Sequence, residues 1–193
     1  MYIAIEGIDT AGKSTQIERL REYFPDALIT KEPGGTPAGI EIRNMVLHGN
    51  LTSKTAEMLL FLADRAEHTQ SIIEPNIGKM IITDRSAVSG MAYATVQNLC
   101  DESTLVMLNR LSTGGTLPSH VFILQLTLEE LTYRLSQKEH DAIEARGVKY
   151  LLSIQDALIN AASALGIQTH IIDATQSIDT ITNEIITHIQ GAP

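Results

Sequence analysis

The residues Gly7-Ile8-Asp9-Thr10-Ala11-Gly12-Lys13-Ser14 fill every fixed position of the phosphate-binding pattern G-x-x-x-x-G-K-[ST]. They follow the apolar run Tyr2-Ile3-Ala4-Ile5, so the pattern stands between an expected strand and an expected helix, where its chemistry needs it. Gly7 and Gly12 let the backbone wrap closely enough for its N–H groups to converge on phosphate oxygens. Lys13 reaches the β- and γ-phosphates, and the Ser14 hydroxyl can bind Mg2+. The helix expected from about Lys13 to Phe24, with Ile17, Leu20 and Phe24 apolar, aims its positive end at the same anion. These residues imply binding of a nucleoside triphosphate.

The elements that must position this loop can be read from periodicity. Apolar runs of strand length recur at Tyr2–Glu6, Ala27–Thr30, Met80–Thr83, Val121–Leu126 and Thr169–Ile172. Helical patterns lie between or after them, including Ser53–Glu74, Leu128–Leu135, Gly147–Leu165 and Ser177–Ile189. The alternation predicts an α/β fold: a five-stranded, doubly wound parallel sheet with helices on both faces. No repeat, low-complexity tract or linker divides the chain, so residues 1–193 are expected to form a single domain. Segments 37–50, 86–118 and 136–146 are candidates to cover a substrate.

In such a sheet, ligands bind outside the carboxyl ends of the strands. The phosphate loop follows the first strand, Thr30-Lys31-Glu32-Pro33-Gly34-Gly35-Thr36 the second, and Asp84-Arg85-Ser86 the third. In the helix expected over Ser53–Glu74, Ala56, Leu59, Leu60 and Ala63 form one apolar stripe, read as the core face. Phe61, Arg65 and His68 cluster on nearly the opposite side. A ring and a guanidinium together can hold a planar base by stacking and hydrogen bonding. On spacing alone, a solvated face with one stray Phe fits equally well.

Composition narrows the classes. A net charge of −9 argues against a general nucleic-acid binder. No apolar run is long enough for a membrane span, and the immediate entry into strand and loop leaves no room for a signal peptide. A single cysteine, Cys100, permits no internal disulfide and suits a reducing cytoplasm. The histidines show no metal-ligand spacing.

Gly7–Ser14, Thr30–Thr36, Glu41-Ile42-Arg43, Phe61-Leu62-Ala63-Asp64-Arg65-Ala66-Glu67-His68, Asp84-Arg85, Ala92-Tyr93 and Ile172-Asp173-Ala174-Thr175 together resemble thymidylate kinase, in order and along nearly the whole chain. The resemblance implies a P-loop kinase fold with a short lid near 136–146, and transfer of the γ-phosphoryl of ATP to dTMP with Mg2+. It also implies a homodimer. Carried over residue by residue, it gives Gly7–Ser14 to the ATP phosphates, with Lys13 stabilising the transferring group. Asp9 would lie near the acceptor's sugar and phosphate, and Glu32 near the deoxyribose. Arg43 and Arg85 would clamp the acceptor phosphate. Phe61 would stack on thymine, Arg65 would bond its carbonyl edge, and Tyr93 would press on the sugar. Ser14 and Asp84 would organise the metal shell.

The chain departs from the pattern at three places. Thr10 stands where one subgroup carries an Arg, and members without that Arg usually carry arginines in the lid. Here Asp141-Ala142-Ile143-Glu144 resembles the subgroup's Asp-Arg-Ile-Glu with its Arg replaced, which leaves Lys138 as the first choice for the catalytic cation, with Arg134 or Arg146 behind it. Ser86 stands where an aromatic residue usually follows Asp84-Arg85. Ala94 stands where many members have a Gln that contacts the base. Among rival readings, a GTPase switch would need an Asn-Lys dipeptide, which the chain lacks. A nucleotide-driven ATPase or partner-binding module would not need Phe61, Arg65 and Arg43 grouped for a second small ligand. Another nucleoside or nucleotide kinase of the same fold is the nearer alternative.

Overall fold

The structure, a computed structural model, describes residues 1–49, 51–137 and 147–191. Its strands are β1 (Tyr2–Gly7), β2 (Leu28–Lys31), β3 (Ile81–Asp84), β4 (His120–Gln125) and β5 (Gln168–Asp173). They form one sheet in the order β2-β3-β1-β4-β5, parallel throughout. All five expected strands are present, with ends displaced by no more than a residue or so. β1 lies at the centre and is buried along its whole length, as expected of a parallel strand covered on both faces.

The helices among the described residues are α1 (Lys13–Tyr23), α2 (Pro37–His48), α3 (Lys54–His68), α4 (Ala87–Val96), α5 (Glu102–Ser112), α6 (Leu128–Ser136), α7 (Val148–Leu165) and α8 (Ile178–Gly191). α1 and α8 pack together over the sheet, as do α4 and α7. The candidate covering segments 37–50 and 86–118 are thus largely helical. Side chains at N-caps fix most helix starts: Thr36, Ser53, Ser86, Asp101 and Thr127 each accept a backbone N–H of the first turn. α1 differs. It begins at Gly12, in the left-handed region at φ 97°, with no side-chain cap, so its first N–H groups stay available to an anion.

Two expectations about α3 need correction. The helix does not run unbroken to Glu74: it ends at His68 and passes through a π turn, Thr69–Ile73, and a 3-10 turn, Glu74–Asn76, that contains Pro75. Its faces are also reversed. Leu59 is 51% exposed and Ala63 is exposed, whereas Asp64, Arg65 and His68 are buried. The polar side turns inward because those three side chains find partners on the loop after β2, described below.

Far from the phosphate loop, three histidines meet at the β4–β5 edge. His120 Nδ1 lies 3.1 Å from His170 Nε2, and the His170 ring is 4.2 Å from that of His188 and 4.9 Å from that of Phe122. Burial, reinforced by the neighbouring histidines, holds His120 and His170 below the ordinary histidine range. The neutral rings therefore favour the folded state. Stability is full above the unfolded histidine pKa of about 6.5 and declines as pH falls below it. The urea midpoint is expected to drop between about pH 7.5 and about pH 5.5. His170→Phe, which keeps a ring against Phe122, is expected to lose part of that drop; an unchanged slope would remove the cluster as its cause.

Candidate active site

The phosphate loop closes around its own lysine. Lys13 is 7% exposed, and its Nζ donates to the carbonyls of Gly7 and Ile8, each at 3.1 Å. It lies 3.7 Å from the Asp9 carboxylate. Burial, with the nearby Arg85 charge adding, pushes Lys13 down to about 8. Thr10 sits in the left-handed region at φ 71°, unusual for a β-branched residue. Its carbonyl accepts from Arg134 Nη1 at 3.0 Å, and Arg134 Nη2 donates to Ala174 O at 2.8 Å. Arg134 also pairs with Glu130 at 2.6 Å, so this candidate cation is committed to bracing the loop. Lys138 and Arg146, with the rest of segment 138–146, lie outside the described residues.

Arg85, just past β3, joins the loop to the cleft. Its φ is 69°, its Nη1 donates to Gly7 O and Ser89 Oγ, and its Nη2 pairs with Asp9 at 2.6 Å. Burial works against its charge, but Tyr93, Asp9, Glu6 and Asp84 around it raise its pKa above the ordinary arginine value. Tyr93 is 5.9 Å from the Arg85 guanidinium, and burial pushes its hydroxyl up to about 12. Beneath both lies Glu6, fully buried at the end of β1, accepting from the hydroxyls of Ser86 and Ser89 and from Ser89 N. Burial raises its pKa. The Ser86 that replaces the expected aromatic therefore caps α4 and anchors Glu6.

On the other side of the cleft, Glu32 is buried between α3 and its own loop. Its Oε2 accepts from Arg65 Nε and its Oε1 meets His68 Nδ1, each at 2.9 Å. Burial alone would raise Glu32, yet Arg65 and then His68 outweigh it and hold the carboxyl below its ordinary value. His68 Nε2 meets Thr30 Oγ1 at 2.6 Å, and Asp64 accepts Gly34 N at 2.9 Å. The glycines of Glu32-Pro33-Gly34-Gly35 allow this embrace: a Cβ at Gly35 would stand 2.6 Å from His68 Cδ2. Arg65 donates further to Asn109 Oδ1 at 3.0 Å and Ser86 O at 3.2 Å. Its three nitrogens are thus tied to three separate elements.

These walls enclose a cavity of about 220 Å3 lined by Asp9, Glu32, Arg43, Phe61, Arg65, Arg85 and Tyr93. The structure brings together all the residues assigned from sequence to the acceptor. Arg43, half-buried on α2, is steadied by Pro33 O at 3.2 Å. Glu6, Asp64, Ser89 and Asn109 were not assigned from sequence. Glu6 directly precedes the loop and Asp64 directly precedes Arg65, so adjacency was a usable signal for those two; nothing in the sequence marks Asn109. For the metal residues, Ser14 is exposed on the first turn of α1, and Asp84 Oδ1 is buried with no hydrogen-bond partner among the described residues. An orphaned carboxylate oxygen beside a phosphate loop fits a hard cation.

Two expectations follow from this geometry. Binding of ATP restores full charge to Lys13, so it is expected to take up close to one proton at about pH 9 and little at about pH 7, where the lysine is already protonated. Titration calorimetry in buffers of different ionisation enthalpy measures that uptake; equal values at both pH would overturn the Lys13 assignment. Arg65→Ala strands the buried Glu32 carboxylate and is expected to cost about 3–5 kcal/mol of stability in urea unfolding. A loss under about 1 kcal/mol would mean the pair is not buried as described.

The Thymidylate kinase family model matches residues 5–185. The chain is 64% identical over 189 residues to the thymidylate kinase of Sulfurimonas denitrificans, covering 98% of this chain and 99% of that one. It is 50% identical over 185 residues to that of Aliarcobacter butzleri, covering 96% of each. The crystal structure of thymidylate kinase from Ehrlichia chaffeensis superposes with a TM-score of 0.77 at 28% identity, over 98% of both chains. The phosphate loop and the cleft beside it thus belong to a chain that is a member of the thymidylate kinase family.

Proposed function

We propose that the protein transfers the γ-phosphoryl group of ATP to dTMP, giving dTDP and ADP. The observation that carries this reading is the 2.6 Å contact between Asp9, inside the phosphate loop, and Arg85, on the wall of the adjoining cavity. Donor loop and acceptor cleft share a charged boundary, the arrangement that direct transfer between two phosphates requires. Phe61 offers a ring to stack on the base, Arg43 and Arg85 offer planar donors to the acceptor phosphate, and Tyr93 faces the sugar where a ribonucleotide carries its 2′-OH.

Transfer through a loose transition state needs charge stabilisation rather than a strong base, since the acceptor phosphate is already ionised. On ATP binding, Lys13 would exchange the carbonyls of Gly7 and Ile8 for phosphate oxygens. Asp9 keeps Arg85 aimed along the line between the two ligands. Ser14 and Asp84 would hold Mg2+, which when bound neutralises charge on the donor phosphates. The remaining cation is assigned, on sequence alone, to Lys138, and the commitment of Arg134 to Thr10 and Ala174 supports that choice. The exposed Leu59 and Ala63 on α3, with half-buried Ala56 beside them, support a homodimer that covers this stripe. A chain with no helix among its described residues long and apolar enough to cross a membrane suits action in the cytoplasm.

A panel of acceptors with ATP and Mg2+ tests the reading. We expect dTMP to be preferred, dUMP to follow and the ribonucleotide of thymine to be weaker still. A missing methyl forfeits only about 1–3 kcal/mol, whereas a 2′-OH meets Tyr93. Equal kcat/KM for dCMP or AMP would favour another kinase of the same fold. Lys13→Ala is expected to abolish transfer in a folded protein. Lys138→Ala is expected to lower kcat by ~10-fold or more with little change in acceptor KM. Leu59→Glu is expected to halve the mass seen by light scattering; an unchanged mass would move the dimer surface off α3 or show a monomer.

A further inference from the structure

Four buried side-chain atoms have no hydrogen-bond partner among the described residues: Thr10 Oγ1, Asp84 Oδ1, Tyr93 OH and Gln97 Oε1. Three lie on residues that already have a place in the proposed reaction: Thr10 in the phosphate loop, Asp84 beside the metal, Tyr93 against the sugar. Gln97 has none. An unpaired buried acceptor costs about 1–3 kcal/mol, so a native structure that keeps one beside a ligand cavity has a use for it.

Gln97 lines the same cavity as Phe61, Arg65 and Tyr93. It terminates α4 in helical geometry, at φ −83° and ψ −1°, with its N–H on Tyr93 O at 3.1 Å. Gly90, Ala94 and Gln97 are spaced i, i+4, i+7, so they share one face of that helix, and all three line the cavity. At one end of this face a Cβ on Gly90 would lie 2.7 Å from Arg65 Nη2. At the other end stands the Gln97 carboxamide. Helical side chains lean toward the N-terminus, and Ala94 is too small to block Gln97 from reaching back along the face.

A thymine ring on this face presents the carbonyl O4 and the donor N3–H side by side. Arg65 has donors only and can serve O4, but it cannot serve N3–H. Most other acceptors in the cavity are engaged: both oxygens of Glu32 by Arg65 and His68, Asp64 by Gly34 N, and Asn109 by Arg65. The Ser86 and Ser89 hydroxyls are turned to Glu6. Resting on the dTMP reading above, we infer that the Gln97 side-chain carbonyl accepts the thymine N3–H. One turn further along α4, it thus does what a Gln directly after Tyr93 would do. With Arg65 it forms a donor-plus-acceptor pair that matches thymine or uracil. Cytosine fits poorly, because its N4 amino group would meet the Arg65 donors and its unprotonated N3 would face the carbonyl oxygen.

Calorimetric binding and steady-state rates for dTMP and N3-methyl-dTMP, whose N3 cannot donate, test this on the wild type, Gln97→Met and Gln97→Glu. The wild type is expected to prefer dTMP by ~10-fold or more in Kd and kcat/KM. Gln97→Met keeps the volume and removes the acceptor. It is expected to narrow that preference to ~3-fold or less, by raising the Kd and KM for dTMP more than it lowers kcat. Gln97→Glu keeps an acceptor and is expected to retain the preference. If the wild type binds and phosphorylates dTMP while Gln97→Met keeps the full preference, the assignment of Gln97 is overturned and the function stands. If the wild type neither binds nor phosphorylates dTMP, both fall. Should Gln97→Met fail to fold, Gln97→Ala takes its place, with the same narrowing expected.

Discussion

A carboxylate cannot stay ionised in a protein interior without partners, and much of the acceptor side of this molecule follows from satisfying one. Glu32 is held by Arg65 and His68, against a desolvation cost of several kcal/mol per ion. That requirement fixes which face of α3 turns inward and folds the Pro33-Gly34-Gly35 loop against the helix. It also draws Asn109 and Ser86 to the remaining Arg65 nitrogens. The cavity wall is therefore a hydrogen-bonded frame in which the side chains offered to a ligand are held in place before it arrives.

The two halves of the site solve the same problem with different chemistry. Around Glu6 the partners are hydroxyls, and burial raises its pKa. Around Glu32 the partners are an arginine and a histidine, and its pKa is lowered. Each acid ties a strand end to a helix: Glu6 joins β1 to α4, and Glu32 joins the loop after β2 to α3. Arg65 bridges the two systems, since it donates to Ser86 O while the Ser86 hydroxyl serves Glu6.

The sheet was legible because its strands are short apolar runs with loops of recognisable chemistry at their carboxyl ends. The phosphate loop was legible because its fixed residues are demanded by a single ligand. What periodicity could not supply was the sense of burial on α3. A face bearing Asp64, Arg65 and His68 reads as solvated unless its partners are known, and those partners lie thirty or more residues away at Thr30, Glu32 and Gly34. The exposed Leu59 stripe failed in the same way, because apolar spacing identifies a face but not what covers it. Asn109 escaped notice because it is a lone amide inside an otherwise ordinary amphipathic helix.

The unusual backbone of Thr10 gives residue 134 an influence that its distance along the chain conceals. A β-branched residue held at φ 71° stores about 1–2 kcal/mol, and the guanidinium of Arg134 grips the carbonyl of that same residue. The two positions therefore set each other's tolerance. A glycine at position 10 would adopt the loop's shape without strain and make the distant grip dispensable, whereas with threonine there, any replacement of Arg134 frees the loop to relax away from the phosphates. Substitutions at these sites should be strongly epistatic, so that neither position's variability can be interpreted without the other's.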